Sequence, residues 1–284
     1  MNGQSLIIER RPGHAPALEN APTVDNVKNA WFHPLLEHPL TRGLDVNDPR
    51  RTNLRRQIIA QKPFLRRIYQ EWYEMLALQI PAGDGKILEL GSGAGFLPQR
   101  LPDVITSDIL PCDDLNLVLD GQLLPFADAS LKAIVMVDVM HHLPRIRQFF
   151  SESARCIRSG GVIAAVEPWL TPWSQFVYSQ LHFEPFDPGA QWEFPPTGPL
   201  SGANGALPWI IFHRDRAKFA AEFPQWKIRR IQVFMPFRLL VCGGVSFRNL
   251  MPSFTFKLWR GLENLLTPLK NQLGMLAFIV LERK

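Results

Sequence analysis

Residues 87–96 read ILELGSGAGF: a short apolar run carrying one acid, Glu89, and closed by three glycines at alternate positions, Gly91, Gly93 and Gly95. An apolar run of this length that ends in glycines predicts a strand and a tight turn whose backbone can approach a ligand. Two phosphate-binding loops are the natural comparisons. A dinucleotide fingerprint needs G-x-G-x-x-G, but here the third glycine falls one position early and Phe96 takes its place. A P-loop needs Gly-Lys-Ser/Thr, and no such triplet follows. Glu89 stands two residues before Gly91. A carboxylate there repels a pyrophosphate and suits a ligand with a cationic ammonium group. A nicotinamide oxidoreductase is therefore disfavoured.

Working outward, short apolar runs alternate with helical pieces. VITSDI (104–109), LNLVLD (115–120), KAIVMVDV (132–139) and GVIAAVEPW (161–169) read as further strands. PRIRQFFSESARCIRSGG reads as a helix, with Ile146, Phe149, Phe150 and Ile157 on one face and Gly160-Gly161 after its end. This alternation calls for a parallel sheet covered on both faces, with ligands beyond the carboxyl ends of the strands. Upstream, residues 63–78 form a helix whose Leu65, Ile68, Tyr69, Trp72 and Leu76 share a face, with Pro63 in its first turn. Residues 1 to about 50 read as an arm or lid. Downstream, residues 170–212 are crowded with Pro, Trp, Phe and Gly and read as a long irregular segment roofing an acceptor site. A helix (RDRAKFAAEFP), a strand (WKIRRIQVF), a partly helical stretch over 235–271 and a closing strand (LGMLAFIVLER) follow. The division expected is an N-terminal arm with helices over 1–84 and a second unit over 85–284.

LELGSGAG resembles the first motif of class I S-adenosylmethionine-dependent methyltransferases. LDGQLLPFADASLKAIVMVDVMHHL and ARCIRSGGVIAAVEP resemble later motifs of the branch containing the ubiquinone and menaquinone methyltransferases. The resemblance spans about residues 86–168. It implies an α/β, Rossmann-like, seven-stranded, mostly parallel sheet with an antiparallel last strand. An N-terminal helical extension and a long insertion after strand five would elaborate it. It also implies S-adenosylmethionine as cofactor. Glu89, Gly91, Ser92, Gly93 and Gly95 then face its methionine part, and Asp108 with Ile109 its ribose side. Asp120 and Gly121 face the adenine, and the strand-four end including Asp138 forms the floor. Asp108 also suits a helix N-cap, and Asp120-Gly121 a plain turn. One departure stands out: the connection FLPQRLPD is short and proline-broken where the family has about one more turn.

Methyl transfer needs a base only when the nucleophile must lose a proton. His141, His142, His182, Glu184 and His213 are the candidates, with His182 and Glu184 ranked first because they lie in the roofing segment. The three cysteines, Cys112, Cys156 and Cys242, have no metal-ligand or disulfide spacing, so no metal is expected and a cytoplasmic location is. From Ile211 onward the chain holds 13 Lys+Arg against 4 Asp+Glu, whereas the first 210 residues hold 18 against 22. That basic, apolar final third fits peripheral contact with an anionic membrane or simply a solvated face. Nucleic acid is not an expected partner, because no Asn/Asp-Pro-Pro-Tyr/Phe motif follows strand four, which reads VDVMHH. The expectation is O- or C-methylation of a small or lipid-like molecule; a non-catalytic cofactor-binding protein is the alternative.

Overall fold

The computed structural model describes residues 37–45, 47–182, 184–198 and 202–284; most of the expected N-terminal arm lies outside them. Seven strands form one sheet: β1 (Lys86–Leu90), β2 (Val104–Asp108), β3 (Leu117–Val118), β4 (Leu131–Val137), β5 (Ile157–Pro168), β6 (Trp226–Phe234) and β7 (Leu276–Arg283). Their order is β3-β2-β1-β4-β5-β7-β6. All the pairs from β3 to β5 are parallel, and β7 runs antiparallel to both β5 and β6. The chain reverses direction across the sheet between β1 and β4, which puts the switch point where the glycine loop emerges.

The strands read as apolar runs because both faces are covered. Leu88, Leu90, Ile134, Met136, Ile163 and Ala165 point to one layer, where Phe149 and Phe150 of α3 (Ile146–Cys156) pack with Phe212, Phe219 and Trp226. Ile87, Ala133, Val135, Val162 and Ala164 point to the other. There they meet Leu65, Ile68, Trp72 and Leu76 of α2 (Pro63–Ala77). The period-2 alternation of strands and the 3–4 spacing of helices thus meet in two cores.

Several elements differ from their sequence reading. The third strand is two residues long and exposed, not six, and sits at the edge of the sheet formed by the described residues. The expected irregular segment opens with a helix, α4 (Pro172–Leu181). Thr171 caps it by accepting from the Ser174 N–H while Ser174 Oγ accepts from the Thr171 N–H, and Pro172 occupies the first turn, where a missing N–H costs nothing. A further helix, α1 (Pro49–Gln61), precedes α2 and is capped by Asp48. The proline-broken connection after the glycines is a single 3-10 turn, Leu97–Gln99. After α5 (Arg216–Glu222) and β6, the stretch over 235–271 contains α6 (Phe256–Leu265). No described helix is long and apolar enough to cross a membrane.

Candidate functional site

The glycine loop leaves β1 with Gly91 at φ +69° and Gly93 at φ +44°, conformations that side-chain-bearing residues avoid. A Cβ on Gly91 would lie 2.4 Å from Val139 Cγ2, so the loop and the β4 end pack too closely for any other residue. Gly95 faces a different constraint: a Cβ there would lie 2.4 Å from the Tyr73 hydroxyl of α2. That hydroxyl accepts from the Phe96 N–H at 3.1 Å. Ser92 ties the loop to β2, its N–H donating to the Ser107 carbonyl at 2.7 Å and its Oγ accepting from the Ser107 N–H at 3.0 Å. Asp108 does the same from the strand end, its Oδ2 accepting from the Gly93 N–H at 2.9 Å and its Oδ1 from the Leu110 N–H at 3.0 Å. α1 covers the loop: the Arg56 guanidinium reaches the Gly93 carbonyl at 3.4 Å, the Asp113 carbonyl at 2.9 Å and the Asp114 carboxylate at 2.6 Å.

Glu89 is buried on the α2 side of the sheet, and its Oε2 has no hydrogen-bond partner. Burial pushes its carboxyl up to about 7, and neighbouring Asp108 adds to the rise while a hydrogen bond from Ser92 opposes it. An orphaned buried carboxylate beside a glycine loop is the partner an ammonium group lacks in water-free surroundings. Asp120 Oδ1 accepts from the Gln122 N–H and side-chain amide, both at 2.9 Å. Gly121 is held against Leu90, whose Cδ2 would lie 2.7 Å from any Cβ. The residues present therefore fit an amino-acid-bearing nucleoside: an acid for the ammonium, an acid at the next strand end for a diol, and a turn for a base.

All ten residues expected on the cofactor side, Ile109 and Asp138 included, line one cavity of about 900 Å³. So do His141, His142, His182 and Glu184. His213 does not; it is exposed and lies against the Trp169 and Trp209 rings.

The histidines converge. Met140–His142 is a 3-10 turn after β4, entered through Asp138 at φ +55°. Glu167, fully buried at the end of β5, accepts from the Val139 and Met140 N–H groups at 2.9 and 2.8 Å, and its Oε2 lies 2.8 Å from His141 Nδ1. His141 Nε2 lies 3.3 Å from Glu184 Oε2, and His142 Nε2 lies 3.7 Å from Glu184 Oε1. Burial opposes charge on His141, but hydrogen bonds to Glu167 and Glu184 outweigh it and push the ring up to about 10. Burial and the adjacent His141 pull His142 down to about 4. Glu184 is held well below the usual carboxylate range by its histidine contacts, against burial. Asp138 lines the cavity and is exposed by surface area. Protein crowding around its carboxyl pushes it up to about 7; His141 opposes the rise and Glu167 and Glu184 add to it.

Glu167 is the functional residue the motif reading leaves without a role. Its signal is a lone acid in an otherwise apolar strand, IAAVEP. Thr52 and Arg55 of α1 and Tyr69 of α2 also line the cavity, and nothing near them in sequence marks them as site residues.

The protein-family model described as "Methyltransferase domain" matches residues 88–165. No curated protein sequence matches the chain. Among solved structures, the chain is similar to geranyl diphosphate C-methyltransferase from Streptomyces coelicolor A3(2). The identity is 13%, coverage is 88% of this chain and 92% of that one, and the TM-score is 0.46. It is also similar to a SAM-dependent methyltransferase from Archaeoglobus fulgidus, at 16% identity, covering 76% and 94%, with a TM-score of 0.45. A third similar structure is the [4+2]-cyclase SpnF, at 15% identity, covering 76% and 80%, with a TM-score of 0.43. The matched domain contains the glycine loop, Asp108, Asp120 and the two histidines, and the sheet and cavity are built around it. The chain carries a methyltransferase domain over residues 88–165.

Proposed function

We propose that the protein methylates an oxygen or carbon of a small or lipid-like organic acceptor. The observation that carries this reading is a shared cavity: the glycine loop with its orphaned Glu89 and the His141–His142–Glu184 cluster line the same space. S-adenosylmethionine supplies an activated methyl group on a sulfonium, so alignment and exclusion of water provide much of the rate. Glu89 and the Gly91–Gly95 backbone would hold the amino-acid end, directly or through water. Asp108 would accept from both ribose hydroxyls with Ile109 beside it, and Asp120 and Gly121 would border the adenine. Asp138, next to the Val139 that packs on Gly91, is a carboxylate lining the same cavity and is the proton acceptor in this reading when the acceptor is a hydroxyl. The left-handed backbone at Asp138 is the strain expected of a functional position. Tyr178, stacked on Phe186 with ring centroids 4.8 Å apart, and Leu181 give the cavity an apolar wall for the acceptor's carbon skeleton.

The lipid-like half of the reading has its own support. On α6, Leu258 (74% exposed), Leu262 and Leu265 (76%) follow at i, i+4 and i+7, with Phe254 (85%) just before them. Exposed Lys257, Arg260 and Lys270 flank this stripe. An apolar face rimmed by cations fits the surface of an anionic membrane. The resemblance to the ubiquinone and menaquinone branch points the same way.

Thermal shift with S-adenosylmethionine, S-adenosylhomocysteine and NAD tests the cofactor half: stabilisation by the first two alone is expected, and equal stabilisation by NAD would overturn it. Methyl transfer from labelled cofactor to lipid and aqueous extracts tests the acceptor half. Label appearing only in nucleic acid or in no fraction would reject it.

A further inference from the structure

We propose that His141, His142 and Glu184 bind a divalent first-row transition-metal ion at the acceptor end of the cavity. The ring nitrogens that face away from the cavity set the argument. His141 Nδ1 faces a carboxylate oxygen of Glu167 at 2.8 Å, and His142 Nδ1 faces the Gly202 carbonyl oxygen at 3.4 Å. Both partners are pure acceptors, so each Nδ1 carries a proton and Nε2 is the atom of each ring that can offer a lone pair to a cation. The Nε2 lone pairs then converge on the Glu184 carboxylate at 3.3 and 3.7 Å. Three such atoms can meet only around a cation: a proton shared between His141 and Glu184, or a metal ion that displaces it.

The spacing suits a metal. A tetrahedral ion bound at about 2.0–2.2 Å to nitrogen and oxygen places its ligands about 3.3–3.6 Å apart. All three ligand atoms lie within 4.8 Å of one another. The support is that of a metal site too: Glu167 orients His141 as outer carboxylates orient metal-bound histidines, and two backbone N–H groups fix Glu167 in turn. Three acids, Glu167, Glu184 and Asp138, crowd this region, with Arg55 the arginine that acts on Glu184 and Asp138. Two imidazoles and one carboxylate favour zinc, iron or manganese over magnesium, which prefers oxygen ligands. All three residues line the cavity, so an ion held by them would be within reach of a molecule bound there, as in catalytic rather than structural sites.

The role of the ion rests on the acceptor reading above; its binding does not. A cation here would lower the pKa of an acceptor hydroxyl. The hydroxyl proton would pass to the Asp138 carboxylate, and the C–O bond would form as the methyl–sulfur bond breaks.

The test uses the full chain stripped with a chelator. Calorimetry with Zn²⁺ alone should show one saturable site, and Co²⁺ should give the visible absorption bands of a four-coordinate centre. Glu184→Gln and His142→Gln should each weaken Zn²⁺ at least tenfold, and Glu167→Gln about 10–100-fold. S-adenosylhomocysteine should still raise the melting temperature of all three variants, which shows that they fold. The proposal is overturned if wild-type protein stabilised by S-adenosylhomocysteine binds no metal, the gap then being filled by a proton on His141. It is equally overturned if Glu184→Gln and His142→Gln bind Zn²⁺ as tightly as wild type. Metal binding without any response to S-adenosylhomocysteine would support the metal site and reject the cofactor assignment instead; a response to neither would reject both.

Discussion

Glu89 makes cofactor affinity depend on pH in a way that isolates one carboxyl group. In the ligand-free protein burial pushes it up to about 7, so near neutrality it is half protonated. A cationic ammonium at the loop favours the ionised form, so binding must expel that proton. If the bound-state pKa falls to the ordinary carboxylate range, affinity is divided by (1 + 10^(7 − pH)). Between pH 7 and pH 5.5 the Kd should rise about 16-fold, or about 1.6 kcal/mol. The window stops at pH 7 because the ligand's own α-amino group begins to lose its proton near pH 8. Calorimetric titration with S-adenosylhomocysteine across this range reads the slope, and parallel titrations in buffers of different ionisation enthalpy count the proton released. Glu89→Gln should bind more weakly and lose the slope. The same variant should stabilise the ligand-free protein at alkaline pH. A carboxyl whose folded pKa is raised from 4.5 to about 7 imposes no cost below pH 4.5 and its full cost above pH 7. That cost is up to about 3 kcal/mol, the upper limit on the gain from Gln. A flat wild-type profile, or an identical slope in Glu89→Gln, would refute the reasoning.

Three further outcomes follow from the packing. Glu167→Ala strands a buried and a part-buried backbone N–H group and the His141 ring, so urea unfolding should show a loss of about 3–5 kcal/mol, with Glu167→Gln losing less. Gly91→Ala adds a left-handed backbone cost of about 1–2 kcal/mol to the collision with Val139. Chemical denaturation should register at least that loss, and S-adenosylhomocysteine should no longer raise the melting temperature. Wild-type protein should co-sediment with anionic vesicles at low salt, and Leu258→Glu/Leu265→Glu should reduce this at least tenfold, since each leucine contributes about 1.5–3 kcal/mol when buried. Vesicle-free supernatants for wild type would refute the membrane reading.

The sheet was legible because strands covered on both faces must be apolar throughout, and β1, β4, β5 and β7 announce themselves that way. The glycine spacing and the strand-end acids were legible for a related reason: only certain residues tolerate those backbone shapes. α1 was not. Ile58 and Ile59 are its only buried apolar residues in a run of arginines and polar side chains, and its position depends on contacts to loops distant in sequence. α4 was misread because prolines suggest irregular chain, yet Pro172 sits where a helix accepts it. The convergence of His141 and His142 on Glu184, about forty residues later, depends on how the chain leaves β5, and no local pattern encodes that. Glu167 was legible as an acid at the carboxyl end of the fifth strand, where a ligand is expected; its role was not, because the N–H groups it serves belong to the turn after β4.

The strap that α1 lays across the glycine loop has a kinetic consequence. Arg56 joins the Gly93 carbonyl to the Asp113–Asp114 corner, and the Asn53 side chain accepts from the Asp113 N–H at 3.2 Å. Thr52 and Arg55 of the same helix line the cavity, so this surface clasp, in which Asp114 is largely solvent-exposed, tethers one of the cavity's walls. Ions in solution loosen such a clasp without touching the buried acids below. Raising salt should speed arrival and departure of the cofactor together and leave the equilibrium nearly unmoved, which makes turnover at saturating acceptor a reporter of how often the strap lifts.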